Sequence, residues 1–450
     1  MEKKRSVLSQ AVVAGFALFA VFFGAGNLIF PPFLGREAGQ GWLKGFLCFV
    51  TADAGLAIMT VLATVRRNGT MDEMLAPLGK IPSRLLSLAL VLRVGPLVAI
   101  PRTGATTYEL GVKQLLPNVS PLLFGFIFFG IVALLTIRPT AVVDIIGRVL
   151  TPILLITLAV LCIKGILTPI GEIGSGLEGY NVPKQGFLAG YQTMDALGAI
   201  PLTLIILKSV RQKGFRSNKE QMHVMIPGSL VAFVGLFAVY GGLCYLGATT
   251  SMMDLGEVNQ TSLVVMITEF LLQRLGVVLL GLIVLFACLT TAIGLTSSAA
   301  DFFSTLLKGR LSYSKLVLII CGLGLAISNV GISMIIKVAS PVLTIIYPIF
   351  LTQIVLSFFS GKIGKVTVYR GAALGALVVS VLDTASGLLG INMPFLHQLP
   401  FASLGFSWLI PAVIGGVIGC FLPSAKLKTD PSKTVRVADE IKPAPTSRTA

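Results

Sequence analysis

Charge is scarce in this sequence. Asp, Glu, Lys and Arg make up 12% of its 450 residues, against about 25% in an ordinary soluble domain. Histidine is nearly missing, with His223 and His397 the two present. No His/Cys/Asp cluster has the spacing of a metal centre, and there is no HExxH pair. A GxxxxGKS/T phosphate loop is absent, so nothing points to ATP as a driving force. A Ser/His/Asp arrangement is absent too, which leaves no sign of an enzyme. The six cysteines, Cys48, Cys162, Cys244, Cys288, Cys321 and Cys420, lie far apart in or beside apolar stretches without a CxxC pair. They read as small buried hydrophobes. Asn68, Asn118 and Asn259 open glycosylation-like triplets, a pattern that chance supplies easily.

Apolar residues fill the space that charge leaves. They make up 55% of the chain, and the mean hydropathy is +0.91. Runs of about 20 such residues, enough to cross a bilayer as helices, recur throughout. Candidate spans are 11–34, 42–65, 84–112, 120–137, 142–167, 187–208, 224–248, 277–306, 314–331, 338–360, 368–390 and 402–422. The fold class is therefore all-α integral membrane, with about twelve spans in contact with the lipid bilayer. The segment 261–275, with Glu269 and Arg274, reads as an amphipathic helix on the outer surface ahead of the eighth span.

The net charge of +16 does not indicate nucleic acid, because the basic residues lie between spans rather than on one face. With the N-terminus in the cytoplasm, the cytoplasmic segments hold Arg66, Arg67, Arg138, Arg148, Lys208, Arg211, Lys213, Arg216, Lys308, Arg310, Lys362 and Lys365. The opposite loops hold few bases and carry Glu172, Glu178, Asp254 and Glu257. An even number of spans with both termini cytoplasmic fits this bias. The basic N-terminus, Met1 to Arg5, leads into an uncleaved first span. Residues 1–10 form a cytoplasmic N-terminus, and residues 425–450 form a polar, disordered cytoplasmic tail.

Two spans are interrupted. The first contains Phe22-Phe23-Gly24-Ala25-Gly26-Asn27-Leu28-Ile29-Phe30-Pro31-Pro32. Unwound backbone at membrane depth survives only where protein or water satisfies it. Free carbonyls there would hold a cation, and a half-helix N-terminus would face a carboxylate. Close helix packing through small residues is the alternative. The sixth span contains Gly190-Tyr191-Gln192-Thr193-Met194-Asp195-Ala196-Leu197-Gly198-Ala199-Ile200-Pro201. An intramembrane carboxylate such as Asp195 is a functional candidate, or it sits at a wet helix end or pairs with Arg93 or Arg102. Two breaks in corresponding positions suggest a five-plus-five inverted repeat.

In the eighth span, Ala287-Cys288-Leu289-Thr290-Thr291 offers paired hydroxyls to a hard cation. Alternatively, those hydroxyls bond back to their own helix. The third span carries Arg93, Arg102 and Glu109 at membrane depth. Arg102 and Glu109 are seven residues apart, share a helix face, and form a gate or a structural pair. Asp53 and Asp383 have no assigned role.

Four stretches together resemble one family: Phe22 to Pro32 with Phe33-Leu34-Gly35, Gly95-Pro96 with Ala99-Ile100-Pro101-Arg102-Thr103, Thr193 to Leu197, and Ala287 to Gly294. They are similar to the bacterial branched-chain amino acid:cation symporters, over all the spans. The resemblance implies a secondary active importer of leucine, isoleucine and valine coupled to Na+ by alternating access in the bacterial inner membrane. A same-fold carrier of another amino acid, or one coupled to protons through Asp195 and Glu109, is the alternative. It also implies the LeuT-type fold, with 11–167 and 187–360 as inverted repeats and 368–422 as two extra helices. By similarity to that fold's Gly-x-Gly-Asn break and Leu-Thr-Ser run, Na+ lies between the first and eighth spans. Its ligands would be the carbonyls of Ala20, Phe23 and Ala287 and the hydroxyls of Thr290 and Thr291. Gly24, Ala25, Gly26 and Asn27, with Thr193, Asp195 and Gly198, would form the substrate site. Beyond the small-molecule amino acid and the coupling ion, no protein partner is expected.

Overall fold

The computed structural model describes residues 6–67, 71–137, 151–360, 363–391 and 393–423. The N-terminal cluster Met1 to Arg5, Asn68, Arg138, Arg148, Lys362, the first part of the 142–167 span and the 425–450 tail lie outside them. The regular elements among the described residues are helices. Seven are long and apolar enough to cross a membrane, and five shorter apolar ones accompany them, in keeping with about twelve spans.

The first span is two helices, α1 (Val7–Phe22) and α2 (Ala25–Ala38). Between them Phe23 (ψ 90°) and Gly24 (φ −116°, ψ −164°) are extended. In an unbroken helix the Gly24 N–H would bond the Ala20 carbonyl. Here it donates to Asn27 Oδ1 at 3.2 Å. The side chain three residues into α2 thus satisfies the N–H at its start, which is half of a capping box. Small-residue packing is present in this span, but not at the break. It lies at Gly15 against Gly228 and at Gly35 against the Cys244 carbonyl, where any side chain would collide with backbone.

The second span is α3 (Trp42–Val50) and α4 (Leu56–Arg67), joined by a π-helical turn at Thr51–Gly55. The third comprises α5 (Lys80–Leu92), a π turn at Arg93–Leu97, α6 (Ala99–Thr107) and a second π turn at Tyr108–Val112. Pro96 has no N–H to give, and Gly95 takes the non-helical φ −96°, ψ −121°. The fourth and fifth spans are α7 (Pro121–Ile137) and α8 (Thr151–Leu167). The sixth is again two helices, α9 (Val182–Thr193) and α10 (Asp195–Gln212), separated by the left-handed residue Met194 (φ 69°, ψ 13°). The seventh is α11 (Asn218–Ala248).

The eighth span is α12 (Gln260–Leu306), kinked at Gln273 (φ 53°, ψ −146°). The segment expected to lie on the outer surface is the part of α12 before that kink. It is amphipathic but packed, with Leu263, Val264, Ile267, Thr268 and Leu271 buried and Glu269 and Arg274 exposed. Its buried face is why it does not lie free. The remaining spans are α13 (Tyr313–Ser328), α14 (Ile332–Phe358), α15 (Val366–Leu389) and α16 (Leu409–Phe421). Helix α16 starts later than the apolar run, because Ala402–Leu404 form a separate 3-10 turn. Facing glycines Gly371 and Gly415 bring α15 and α16 into backbone contact.

Candidate functional site

The two breaks face each other. One cavity is lined by Gly24, Ala25 and Asn27 from the first span and by Thr193, Met194, Asp195 and Gly198 from the sixth. Asn27 Nδ2 donates to Asp195 Oδ2 at 2.8 Å across the gap. Gly26 sits beside it, facing the Arg102 guanidinium. Apolar side chains, Val21, Val94, Leu202 and Leu295 among them, complete the wall. The open space is about 30 Å³, which is room for a water or two rather than for a leucine side chain.

Two further residues belong to this site. Asp53 is fully buried, accepts from Thr193 Oγ1 at 2.6 Å and lies 3.2 Å from Asn27 Nδ2. The same Asn27 nitrogen contacts Asp195, so the two carboxyls share one donor. The π turn at Thr51–Gly55 turns Asp53 inward; π turns of this kind recur at functional sites. Its position inside an apolar run is the same signal that marks Asp195. Tyr240 Oη lies 2.5 Å from Asn27 Nδ2, and nothing distinguishes that tyrosine from its apolar neighbours in the sequence. Asp195 is the first residue of α10, partly buried, and accepts from Asn27 Nδ2 at the edge of the cavity.

The expected cation ligands divide. Thr290 Oγ1 donates to the Ala287 carbonyl at 2.8 Å, the back-bonding common for helix threonines. Its lone pairs remain available for a cation. Thr291 Oγ1 is buried without a partner and lies near Gly24, where an added Cβ would be 3.3 Å from it. The Ala20 carbonyl has lost its helical N–H partner to Asn27, as described above, and Phe23 sits in the extended break. Unfilled oxygens of α1 and α12 therefore border the first break. Among the described residues no group of three or more His, Cys, Asp or Glu side chains could hold a metal; the oxygens expected as ligands here are neutral.

Arg102 and Glu109 do not pair. Arg102 Nη1 and Nη2 donate to the carbonyls of Gln192 (2.6 Å) and Thr193 (3.1 Å) at the end of α9. A cation there complements the negative helix terminus. Glu109 instead accepts from Thr261 Oγ1 (3.0 Å) and from the Ile332 N–H (3.1 Å) at the start of α14. The seven-residue spacing assumed 3.6 residues per turn. Glu109 lies in a π turn, which changes the phase.

The arrangement provides a small, mostly apolar cavity bordered by a guanidinium, a carboxylate and the main chain of the first break. The sequence is 37% identical over 428 residues to the branched-chain amino acid permease BraB of Bacillus subtilis, covering 92% of this chain and 96% of that one. It is 34% identical to the branched-chain amino acid permease BrnQ of Escherichia coli K12, covering 90% and 94%. Among solved structures, the fold matches Mhp1, a nucleobase-cation-symport-1 family transporter in a closed conformation, with a TM-score of 0.62 at 14% identity and 91% of both chains covered. It also matches MhsT in complex with L-phenylalanine, with a TM-score of 0.53 at 16% identity and coverage of 91% and 97%. These neighbours are LeuT-fold transporters. Residues 8–426 match the family model described as branched-chain amino acid transport protein, and the chain belongs to that family, a family of membrane transporters and not of enzymes.

Proposed function

We propose that the chain imports leucine, isoleucine and valine across the bacterial inner membrane, coupled to Na+ by alternating access. The observation that carries this reading is the meeting of two interrupted helices over a cavity that both line, tied by the Asn27–Asp195 hydrogen bond. The start of α2, Gly24, Ala25 and Gly26, faces the substrate carboxylate, with the N–H groups of Ala25 and Gly26 as donors because that of Gly24 is held by Asn27. Asp195, with Thr193 beside it, takes the ammonium. Gly198, Val94, Leu202 and Leu295 receive the aliphatic side chain. Because the cavity is smaller than the substrate, the helices around it must part to admit one, which is the motion that alternating access requires.

Na+ sits between α1 and α12, held by the carbonyls of Ala20, Phe23 and Ala287 and the hydroxyls of Thr290 and Thr291. The unpartnered Thr291 hydroxyl favours this placement. Residues 11–167 and 187–360 are the inverted repeats, 368–422 are two added helices, and both termini are cytoplasmic. Uptake of labelled leucine, isoleucine and valine into proteoliposomes tests the reading. It should be saturable and should rise with an inward Na+ gradient; uptake indifferent to Na+ would end the sodium assignment.

One observation favours a second reading, proton coupling. Asp53 and Asp195 both contact the one amide nitrogen of Asn27 in the membrane interior, and two carboxyls gathered on one donor share a proton more readily than both ionise. A pH gradient alone, without Na+, would then drive leucine accumulation.

A further inference from the structure

Arg102 is a charge in a place where charge is costly. It is 4% exposed and lines the cavity between the two breaks. Buried charges are tolerated when their donors are answered and an opposite charge is near. Two of its nitrogens bond the end of α9, and Asp195 lies within electrostatic reach. Its Nε is buried without a partner. The guanidinium also stands against the first turn of α2. A Cβ on Gly26 would lie 2.9 Å from Nη2, and the Phe30 ring centroid is 5.8 Å from Cζ. A fixed cation with an unanswered donor and the N-terminal amides of α2 thus converge on one cavity, with Asp195 on the same cavity as the opposite charge.

We propose that Arg102 binds the carboxylate of the transported amino acid while Asp195 binds its ammonium, so that the pair is a template for a zwitterion. The proposal deepens the amino acid reading above and rests on it. Each end of the zwitterion meets its opposite, so the buried site gains no net charge when the substrate enters. A planar guanidinium suits a carboxylate better than a lysine ammonium does, and the α2 terminus adds partial positive charge from the other side. Glycine at position 26 keeps that approach open, since a side chain there would press on the guanidinium. Arg102 thereby excludes amines that share the aliphatic chain but lack the carboxylate.

The test compares leucine with 3-methylbutylamine, its decarboxylated counterpart, as ligands of the purified full-length protein, read by affinity in competition binding or thermal shift. The wild-type protein should prefer leucine. In Arg102→Gln, leucine affinity should fall about 10- to 150-fold, as for a lost charge-assisted hydrogen bond, while amine affinity holds or rises. A parallel fall for both ligands would mean that Arg102 only braces α9, and unchanged leucine affinity would also overturn the proposal. If Arg102→Gln does not fold, Gly26→Ala decides. Its methyl group should displace the guanidinium and lower the leucine-to-amine preference, and an unaltered preference counts against the assignment. Wild-type protein that binds no branched-chain amino acid would refute the substrate reading itself, and this proposal with it.

Discussion

Asn27 has two amide protons and three oxygen neighbours on the same nitrogen: Tyr240 Oη at 2.5 Å, Asp195 Oδ2 at 2.8 Å and Asp53 Oδ2 at 3.2 Å. Two protons cannot serve three acceptors, so these oxygens compete and substituting one re-partitions the others. Asp53→Asn sets an amide against the amide of Asn27 and weakens the acceptor for Thr193. We expect it to lower leucine uptake in proteoliposomes at least about tenfold, with the protein still monodisperse. Full activity would reduce Asp53 to a bystander. Thr291→Ala removes a hydroxyl with no other partner, and the sodium concentration for half-maximal uptake should rise on the order of tenfold. Thr290→Ala removes a hydroxyl already bonded to Ala287 and should shift it less. Equal shifts, or none, would contradict the division drawn between the two threonines.

Among the elements, the interrupted helices were legible and the π turns were not. Gly24, Gly26 and Asn27 in one apolar run, and Asp195 in another, violate the pattern of an ordinary span, and both helices do part there. The breaks are narrower than the sequence suggested: Phe23 and Gly24 in one span, Met194 alone in the other. The π turns at Thr51–Gly55 and Tyr108–Val112 leave no mark in composition, because they depend on what packs around them. Asp53 and Glu109, the residues they reorient, are accordingly the ones given no role or the wrong partner. Glu109 joins α14 to the start of α12. Its loss leaves the Ile332 N–H without its acceptor, and Glu109→Ala should cost about 0.5–2 kcal/mol, as for the loss of a helix cap, read as a lower thermal midpoint. No change in that midpoint would mean that water replaces the carboxylate.

For the molecule as a whole, number of spans and sidedness stand together. If both termini are cytoplasmic, a cysteine in place of Lys213, between α10 and α11, is shielded from an impermeant thiol reagent in intact cells, whereas one in place of Glu178 reacts. The reverse pattern would mean that the termini lie outside or that a span ahead of Glu178 is miscounted. The larger claim is that the cavity between the two breaks is where substrate rests and that it opens and closes around it. Gly198 lines that cavity, and an added Cβ there meets neighbours no nearer than 3.4 Å, an ordinary contact. The most direct measurement is the rate at which Gly198→Cys, with the native cysteines replaced, is modified by a small thiosulfonate in proteoliposomes. Leucine with Na+ should slow modification severalfold, and neither alone should do so to the same extent. A rate unaffected by leucine would contradict the account.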